Sequence, residues 1–233
     1  MTLHGFSRNF SDYRFSFQIT KQDLPMSSAA KDISPSAPKT ARGARTRARI
    51  LKAAEDTFGT LGYHRAGISD ITRAAGVAQG TLYCYFSGKE EILRELVRDM
   101  GHKVRAHLAA SVIGARDRLQ AEELGLRAFL EYVSANPSLY RVLQEAQFVD
   151  EAIFREYYEA FGRGYMRMLA DATRKGEVRP GNDEIRVWAL MGLSNFLGLR
   201  FALWDRDRSF DEVVATISDL FRNGLALDGK EKA

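Results

Sequence analysis

A short run of hydrogen-bonding residues has the side-chain chemistry that reads the edges of DNA bases. Six positions carry it: Gln79, Gly80, Thr81, Tyr83, Tyr85 and Lys89. Gln79 can pair bidentately with an adenine, and Thr81 can contact a thymine methyl group or a phosphate. The two tyrosines can donate their hydroxyls to phosphates, and Lys89 places a positive charge at the start of the next predicted helix. The run therefore predicts a DNA-binding surface.

Some of these residues have a second interpretation. At about 100° per residue, Leu82 and Phe86 share an inward face and Tyr83 lies at its border, so Tyr83 is either a groove residue or a core aromatic. Lys89 is either a phosphate ligand or a solvated charge. The same choice applies to four preceding arginines: Arg42, Arg45, Arg47 and Arg49. Among these we take Arg45 as a DNA contact, in a minor groove or on a phosphate.

Three predicted helices surround and position this run. Apolar residues at spacings of four and three predict a first helix from Thr46, its possible N-cap, to Gly62. A second short helix is predicted over residues 68–75 and a third over 79–86, with Gly76 between them. Two short helices that meet at a tight turn have the shape of a helix-turn-helix, whose second helix enters the major groove.

The rest of the sequence is also predicted to be helical. Ser87 followed by Glu90 is a capping-box pattern that opens a fourth helix, which runs to about Val112. Further helices are predicted near 117–135, 138–147, 150–175, 183–204 and 210–226. No segment shows the alternation that is typical of a strand. The predicted fold class is therefore all-α, with an N-terminal helix-turn-helix and a C-terminal helical domain.

The distribution of charge agrees with a nucleic-acid partner. The 233 residues carry 34 basic and 30 acidic side chains, a net charge of +4. Residues 39–100 hold 11 basic and 7 acidic groups, so that one segment is itself net +4 and the remainder sums to zero. A basic N-terminal third predicts a polyanion-binding module. One cysteine, Cys84, forms no internal disulfide, which favours a reducing, cytoplasmic setting.

Residues 1–43 are predicted to be a flexible leader. Residues 26–43 contain few large apolar side chains to bury, so little offsets the entropy of ordering them. Residues 1–25 contain five Phe or Tyr residues but no export signal. Two interpretations stay open for them: they belong to a loose arm, or translation starts at Met26 and they are a gene-model artefact.

The run from Ile68 to Leu93, with Arg49 to Ala54 before it, closely resembles the DNA-binding domain of the TetR family of transcriptional regulators. The resemblance implies a DNA-binding domain at 44–90 and a helical effector-binding and dimerisation domain at 91–228. It also implies a homodimer on palindromic double-stranded operator DNA, a repressor rather than an activator, and a small effector that releases it. Gly67 and Ala78 depart from the pattern, because the family usually has side-chain hydroxyls there that cap helices.

Residues beyond 100 are expected to hold the effector. Thirteen of the 25 aromatic residues lie between Phe129 and Trp204. The expected ligand-binding residues are Tyr132, Tyr140, Gln144, Phe154, Tyr158, Phe161, Tyr165, Met191 and Asn195. An apolar pocket with a few orienting polar groups suits a small hydrophobic effector, namely an acyl thioester, a fatty acid or an aromatic acid. The alternative is that the aromatic stripe is plain core.

The segment from Val187 to Trp204 has one charged residue and nearly the length of a membrane span. We reject a membrane span, because polar and small residues interrupt the segment and a helix between a core and a partner has the same composition. The resemblance places the last two helices in a dimer interface. The residues expected there are Leu193, Phe196, Leu197 and Trp204.

An enzyme is the competing class of protein, and the sequence contains few features that support it. It contains no GxGxxG after a strand, no phosphate-binding loop, no HExxH and no GxSxG. His102 and His107 are five residues apart on a helix and do not share a face for a metal. We therefore predict no catalytic residue, metal or cofactor. The alternatives are an architectural DNA-binding protein without a ligand and a metal-free helical enzyme.

Overall fold

Nine α-helices form the part of the chain that the computed structural model describes, residues 40–225, and this part contains no β-strand. In chain order they are α1 (Ala41–Leu61), α2 (Ile68–Ala75), α3 (Gln79–Tyr83), α4 (Lys89–Ser111), α5 (Arg118–Ala135), α6 (Pro137–Val149), α7 (Glu151–Arg174), α8 (Asp183–Leu197) and α9 (Phe210–Asn223). A π-helical segment, Gly198–Trp204, continues α8. The predicted all-α fold class is confirmed.

The first helix begins earlier than the sequence indicated. Thr40 is its N-cap, and the Thr40 hydroxyl accepts a hydrogen bond from the Gly43 amide at 3.1 Å. Thr46, the predicted N-cap, lies inside the helix and donates its hydroxyl to the Arg42 carbonyl. The helix ends at Gly62 as predicted, where a φ of 79° suits a residue without a Cβ. Residues 41–43, which we expected in the leader, therefore belong to α1, and residues 1–39 lie outside the described part.

The turn between α2 and α3 follows the prediction. Gly76 adopts the left-handed conformation and ends α2. Gly67 has no capping side chain, but Asp70 accepts a hydrogen bond from the Gly67 amide at 3.0 Å, so one half of a capping box persists. Ala78 opens α3 without a side-chain cap. The third helix ends at Tyr83 rather than at residue 86, because the chain there turns towards α4.

The predicted capping box of the fourth helix is wrong in one residue. The Ser87 amide and hydroxyl donate to the carboxylate of Glu91, at 2.6 and 2.7 Å, and not to that of Glu90. Gly88 is the N-cap of α4 and provides no side-chain hydrogen bond. The later helices agree with the predicted ranges to within about three residues, because their apolar periodicity is long and regular.

Two hydrophobic clusters hold the helices together. The first joins α1–α4 to α6 and α7, with Phe58, Phe86 and Leu82 fully buried. Burial of each such side chain contributes about 1.5–3 kcal/mol. The second cluster joins α5 and α6 to the π-helical segment and α9, around Leu130 and Ala202. The first core therefore continues across residues 90 and 91, and α4 and α6 connect the helix-turn-helix to the rest of the chain.

Candidate DNA-binding surface and effector cavity

The surface of α3 presents most of the residues predicted to read DNA. Gln79, Gly80 and Tyr83 are exposed, whereas Thr81 and Tyr85 are half-buried at the edges of the same surface. Leu82 and Phe86 are fully buried, as their shared face predicts. Tyr83 has 48% of its surface exposed, so it is not the core aromatic that the alternative interpretation described.

The four N-terminal arginines divide into two pairs. Arg47 forms an ion pair with Glu95 of α4, and its guanidinium lies over the Phe86 ring. Arg49 donates to the Ala75 and Gly76 carbonyls at 2.9 and 3.2 Å and so binds the end of α2. These two stabilise the helix-turn-helix. Arg42 and Arg45 are exposed, which leaves Arg45 on the surface where we expect it.

Lys89 is directed into its own domain. Its ammonium group donates to the carbonyls of Tyr63 and Ala66, at 2.9 and 3.0 Å, and lies over the Tyr63 ring. These contacts connect the start of α4 to the loop between α1 and α2. An ammonium group has three donors, so at most one is left for a phosphate. Lys89 is therefore neither a solvated charge nor a freely projecting phosphate ligand.

An apolar cavity of about 330 Å³ lies among α4, α5, α6, α7 and α8. Seven of the nine expected ligand-binding residues line it: Tyr132, Tyr140, Tyr158, Phe161, Tyr165, Met191 and Asn195. Gln144 and Phe154 do not. Gln144 is exposed on the outer face of α6, and Phe154 packs against the first core cluster and the edge of Tyr158. The interpretation of this region as solid core is wrong for the residues in the cavity wall.

Three tyrosine hydroxyls form hydrogen bonds around the cavity. Tyr140 donates to the Asn195 carbonyl at 2.6 Å, and Tyr158 contacts the Asn195 side-chain oxygen at 3.3 Å. Tyr165 donates to the Glu122 carboxylate. Burial raises the pKa of all three phenols, so they remain neutral hydrogen-bonding groups near pH 7.

Sequence reasoning missed three charged residues in the cavity wall: Arg105, Arg118 and Glu122. Arg118 forms an ion pair with Glu122 one helical turn away and lies over the Tyr165 ring. The i,i+4 spacing of this pair is visible in the sequence, but such pairs are usually exposed. Nothing in the sequence alone distinguishes a buried pair from a solvated one.

The exposed face of α8 and its π-helical continuation is largely apolar. Phe196 and Trp204 each have 69% of their surface exposed, and Ile185 and Trp188 continue the stripe towards the start of α8. By length and composition alone, the segment 183–204 is the one helix among residues 40–225 that is long and apolar enough to cross a membrane. Two of the expected interface residues also contact the interior: Leu193 lines the cavity and Leu197 packs against the second core cluster, and both are half-buried.

Comparison with known proteins decides the family. Residues 50–96 match the family model for bacterial regulatory proteins of the tetR family. The HTH-type transcriptional regulator BetI of Yersinia pestis is 31% identical over 203 residues, which cover 79% of this chain and 94% of that protein. The chain belongs to the TetR family.

Two further comparisons cover different shares of the proteins that they match. The uncharacterized HTH-type transcriptional regulator YdgC of Bacillus subtilis is 37% identical over 89 residues, 38% of this chain but only 45% of that protein. The chain thus matches less than half the length of that relative. The crystal structure of the transcriptional regulator FadR from Bacillus subtilis in complex with stearoyl-CoA has a TM-score of 0.68 and 20% identity, and it covers 77% of this chain and 99% of that one. At 20% identity this similarity shows that the two chains share a fold and nothing more.

Membership of the TetR family makes the chain a helix-turn-helix transcriptional regulator. Its relatives and structural neighbours are regulators and not enzymes. Among residues 40–225 no three His, Cys, Asp or Glu side chains are grouped as a metal site would require. His102 and His107 are both exposed on α4.

Proposed function

We propose that this chain is a repressor that binds palindromic operator DNA as a homodimer and leaves it when a small apolar effector occupies the cavity. One observation carries the proposal: α4 and α6 supply both the core beneath the helix-turn-helix and the wall of the cavity. We assign DNA binding to residues 44–90 and effector binding and dimerisation to 91–228. A cytoplasmic location follows from the DNA partner.

In the proposed complex α3 enters the major groove. Gln79 reads an adenine, Thr81 contacts a thymine methyl group or a phosphate, and Gly80 lets the backbone approach. Tyr83 and Tyr85 bind phosphates, as does Arg45 from α1. Lys89 acts mainly as a positioning residue, since its ammonium group holds the loop after α1 against α4.

The cavity supports an apolar effector. Its volume falls within the usual range for small-molecule sites, and aromatic and aliphatic side chains form most of its wall. A structural neighbour, FadR from Bacillus subtilis, was solved in complex with stearoyl-CoA. We therefore extend to this chain an acyl thioester or a fatty acid as the effector class, with an aromatic acid as the smaller alternative. A purely architectural protein would have no use for such a cavity.

The proposed release works through α6. Tyr140 and Leu143 face the cavity from this helix, and Arg141 on its other face donates to the Gly59 carbonyl of α1 at 2.7 Å. A ligand that displaces the first face therefore also displaces α1. Release requires that the ligand binds one conformation of the dimer more tightly than the DNA-bound one. In that conformation the two α3 helices must no longer fit successive major grooves, which lie about 34–36 Å apart.

The first experiment finds the operator and tests how it is read. Rounds of selection from random duplex DNA should return a palindrome, and fluorescence anisotropy then measures affinity for it. Gln79→Ala should reduce discrimination at one base pair of each half-site by about 1–3 kcal/mol. Arg155→Ala, an exposed change on α7, is the control. Failure to select any DNA sequence would contradict the assigned reading surface.

The second experiment tests the effector. Gly164 on α7 lines the cavity, and a Cβ added there meets no atom within 4 Å. Gly164→Leu should therefore fill part of the cavity and weaken binding of dodecanoate or dodecanoyl-CoA, measured by calorimetry. Ala152→Leu, exposed on the same helix, should not. Wild-type operator affinity that stays constant at saturating ligand would contradict effector-dependent release.

A further inference from the structure

Two cations line the cavity, and their surroundings differ. Arg118 has 10% of its side chain exposed and is bonded to Glu122, which also accepts the Tyr165 hydroxyl. Its positive charge is therefore already compensated inside the wall. An anionic ligand at this end would have to displace a buried carboxylate or approach it, and both are unfavourable.

Arg105 has no such compensation. It lies half-buried on α4, with its guanidinium carbon 5.4 Å from the centroid of the Phe161 ring. Among residues 40–225 no carboxylate pairs with Arg105 and it donates no hydrogen bond, whereas its α4 neighbours Arg98 and Lys103 form ion pairs. An arginine is always charged and carries five N–H donors, and stacking on an aromatic ring leaves the donors at its edge available.

The position of Arg105 connects the cavity to the surface. Arg105 and Tyr157 line both the large cavity and a second pocket of about 80 Å³ between α4 and α7. Gly101 makes room for the two side chains, since a Cβ there would lie 3.0 Å from the Arg105 guanidinium and 3.1 Å from the Tyr157 ring. The acidic residue of the second pocket, Glu156, is bound by Arg98 at 3.0 Å.

We propose that the effector is an amphiphilic anion whose apolar body fills the cavity and whose carboxylate or phosphate binds Arg105 at this α4–α7 opening. The inference rests on the proposed function and narrows its ligand class. An Arg fork matches the oxygens of either group bidentately. A ligand anion would offset a charge that the protein leaves uncompensated, whereas a neutral ligand of the same length would not.

The test compares ligands that share one chain length. Isothermal calorimetry on the full chain at neutral pH would measure dodecanoate, dodecanol and dodecanoyl-CoA. Arg105→Met keeps the apolar stem and removes the charge, while Arg105→Lys keeps the charge. Arg163→Met makes the same charge change at an exposed site of α7 outside both pockets. Thermal unfolding of each variant checks that it is folded.

We expect wild type and Arg163→Met to bind the acid about 10- to 100-fold more tightly than the alcohol, as for hydrogen bonds to charged groups. Arg105→Met should remove that preference, and Arg105→Lys should restore part of it. If Arg105→Met loses affinity only for dodecanoyl-CoA, the result would support the contact with Arg105 and show that a phosphate of the ligand forms it. Equal binding of acid and alcohol in wild type, together with unchanged dodecanoyl-CoA affinity in Arg105→Met, would overturn the role of Arg105 and leave the cavity as the binding site. Binding of no amphiphile, with operator binding intact, would overturn the effector proposal itself.

Discussion

The carboxylate of Glu145 on α6 accepts the hydrogen bond of the Tyr63 backbone amide, one residue after the turn that ends α1. The same helix places Leu143 in the cavity wall. The end of α1 is therefore tied to a helix that an effector would displace. The Glu145 side chain therefore joins the helix that carries Leu143 directly to the chain that leads into α2.

Loss of this contact should weaken the coupling between effector and operator. Glu145→Ala leaves the Tyr63 amide without its partner, which costs about 1–3 kcal/mol of stability. The factor by which dodecanoate lowers operator affinity should fall towards one, and by reciprocity so should the effect of operator on dodecanoate. Anisotropy titrations with and without ligand measure both. Gln144→Ala, an exposed neighbour on α6, should change neither quantity.

Lys89 should contribute to stability without any DNA present. Lys89→Met removes two hydrogen bonds from a charged group to the Tyr63 and Ala66 carbonyls, so the free energy of unfolding in urea should fall by about 1.5–3 kcal/mol. Operator affinity should fall as well, because the loop before α2 loses its attachment. Lys52→Met, on the exposed face of α1, should cost less than about 1 kcal/mol. Unchanged stability in Lys89→Met would contradict the positioning role and leave contact with a DNA phosphate as the function of Lys89.

The helices and the exposed face of α3 could be predicted from the sequence because both depend on local patterns. Spacings of three and four residues set the helix ranges, and Gly62 and Gly76 end helices where left-handed or unusual backbone is needed. The inward pair Leu82 and Phe86 fixes which face of α3 is exposed. The predicted capping partner of Ser87 was wrong by one residue, because Glu90 and Glu91 are adjacent and the sequence does not show which carboxylate turns towards Ser87.

The cavity wall could be predicted only in part, because it depends on how each helix is rotated. On α6 a single step of about 100° separates Leu143, which lines the cavity, from the exposed Gln144. On α8 two apolar faces compete, and Leu193, which the sequence predicts at a dimer interface, lines the cavity. Arg105 and Arg118 resemble ordinary surface residues, since their burial comes from tertiary packing.

Asp150 should make stability depend on acid pH. It is the N-cap of α7 and forms an ion pair with Arg94 of α4, and that pairing lowers the pKa of its carboxyl below the ordinary value of 3.8. A lowered folded-state pKa stabilises the protein above the unfolded-state pKa, and the stabilisation disappears as pH falls through the folded-state pKa.

Asp150→Asn keeps a capping oxygen but removes the charge, so urea unfolding should show it less stable than wild type at pH 7 by up to about 1 kcal/mol. The difference should shrink below pH 3.8 as the wild-type carboxyl is protonated. Asp171→Asn, which removes two solvent-exposed ion pairs at the end of the same helix, with Arg174 and Lys175, is the control. A stability difference that is constant with pH would show that the charge of Asp150 has no part in it.

The apolar stripe on α8 leads to the last prediction. Ile185, Trp188 and Phe196 follow one another at helical spacing, and Trp204 extends the stripe along the π-helical segment. Exposed aromatic residues in a continuous row usually mark a surface that a partner covers. A second copy of this chain would cover it with the same stripe, as a twofold interface requires.

Phe196→Glu should therefore convert a dimer into a monomer of 26.2 kDa, because a twofold interface would then bury two negative charges, one from each copy. Analytical ultracentrifugation measures the mass directly. Operator affinity should fall together with dimerisation, since a dimer binds both half-sites of a palindrome at once. Phe148→Glu is the matched control, because Phe148 is 83% exposed but lies on α6, away from the stripe. A Phe196→Glu protein that remains dimeric would place the interface elsewhere, and loss of the dimer in Phe148→Glu would do the same.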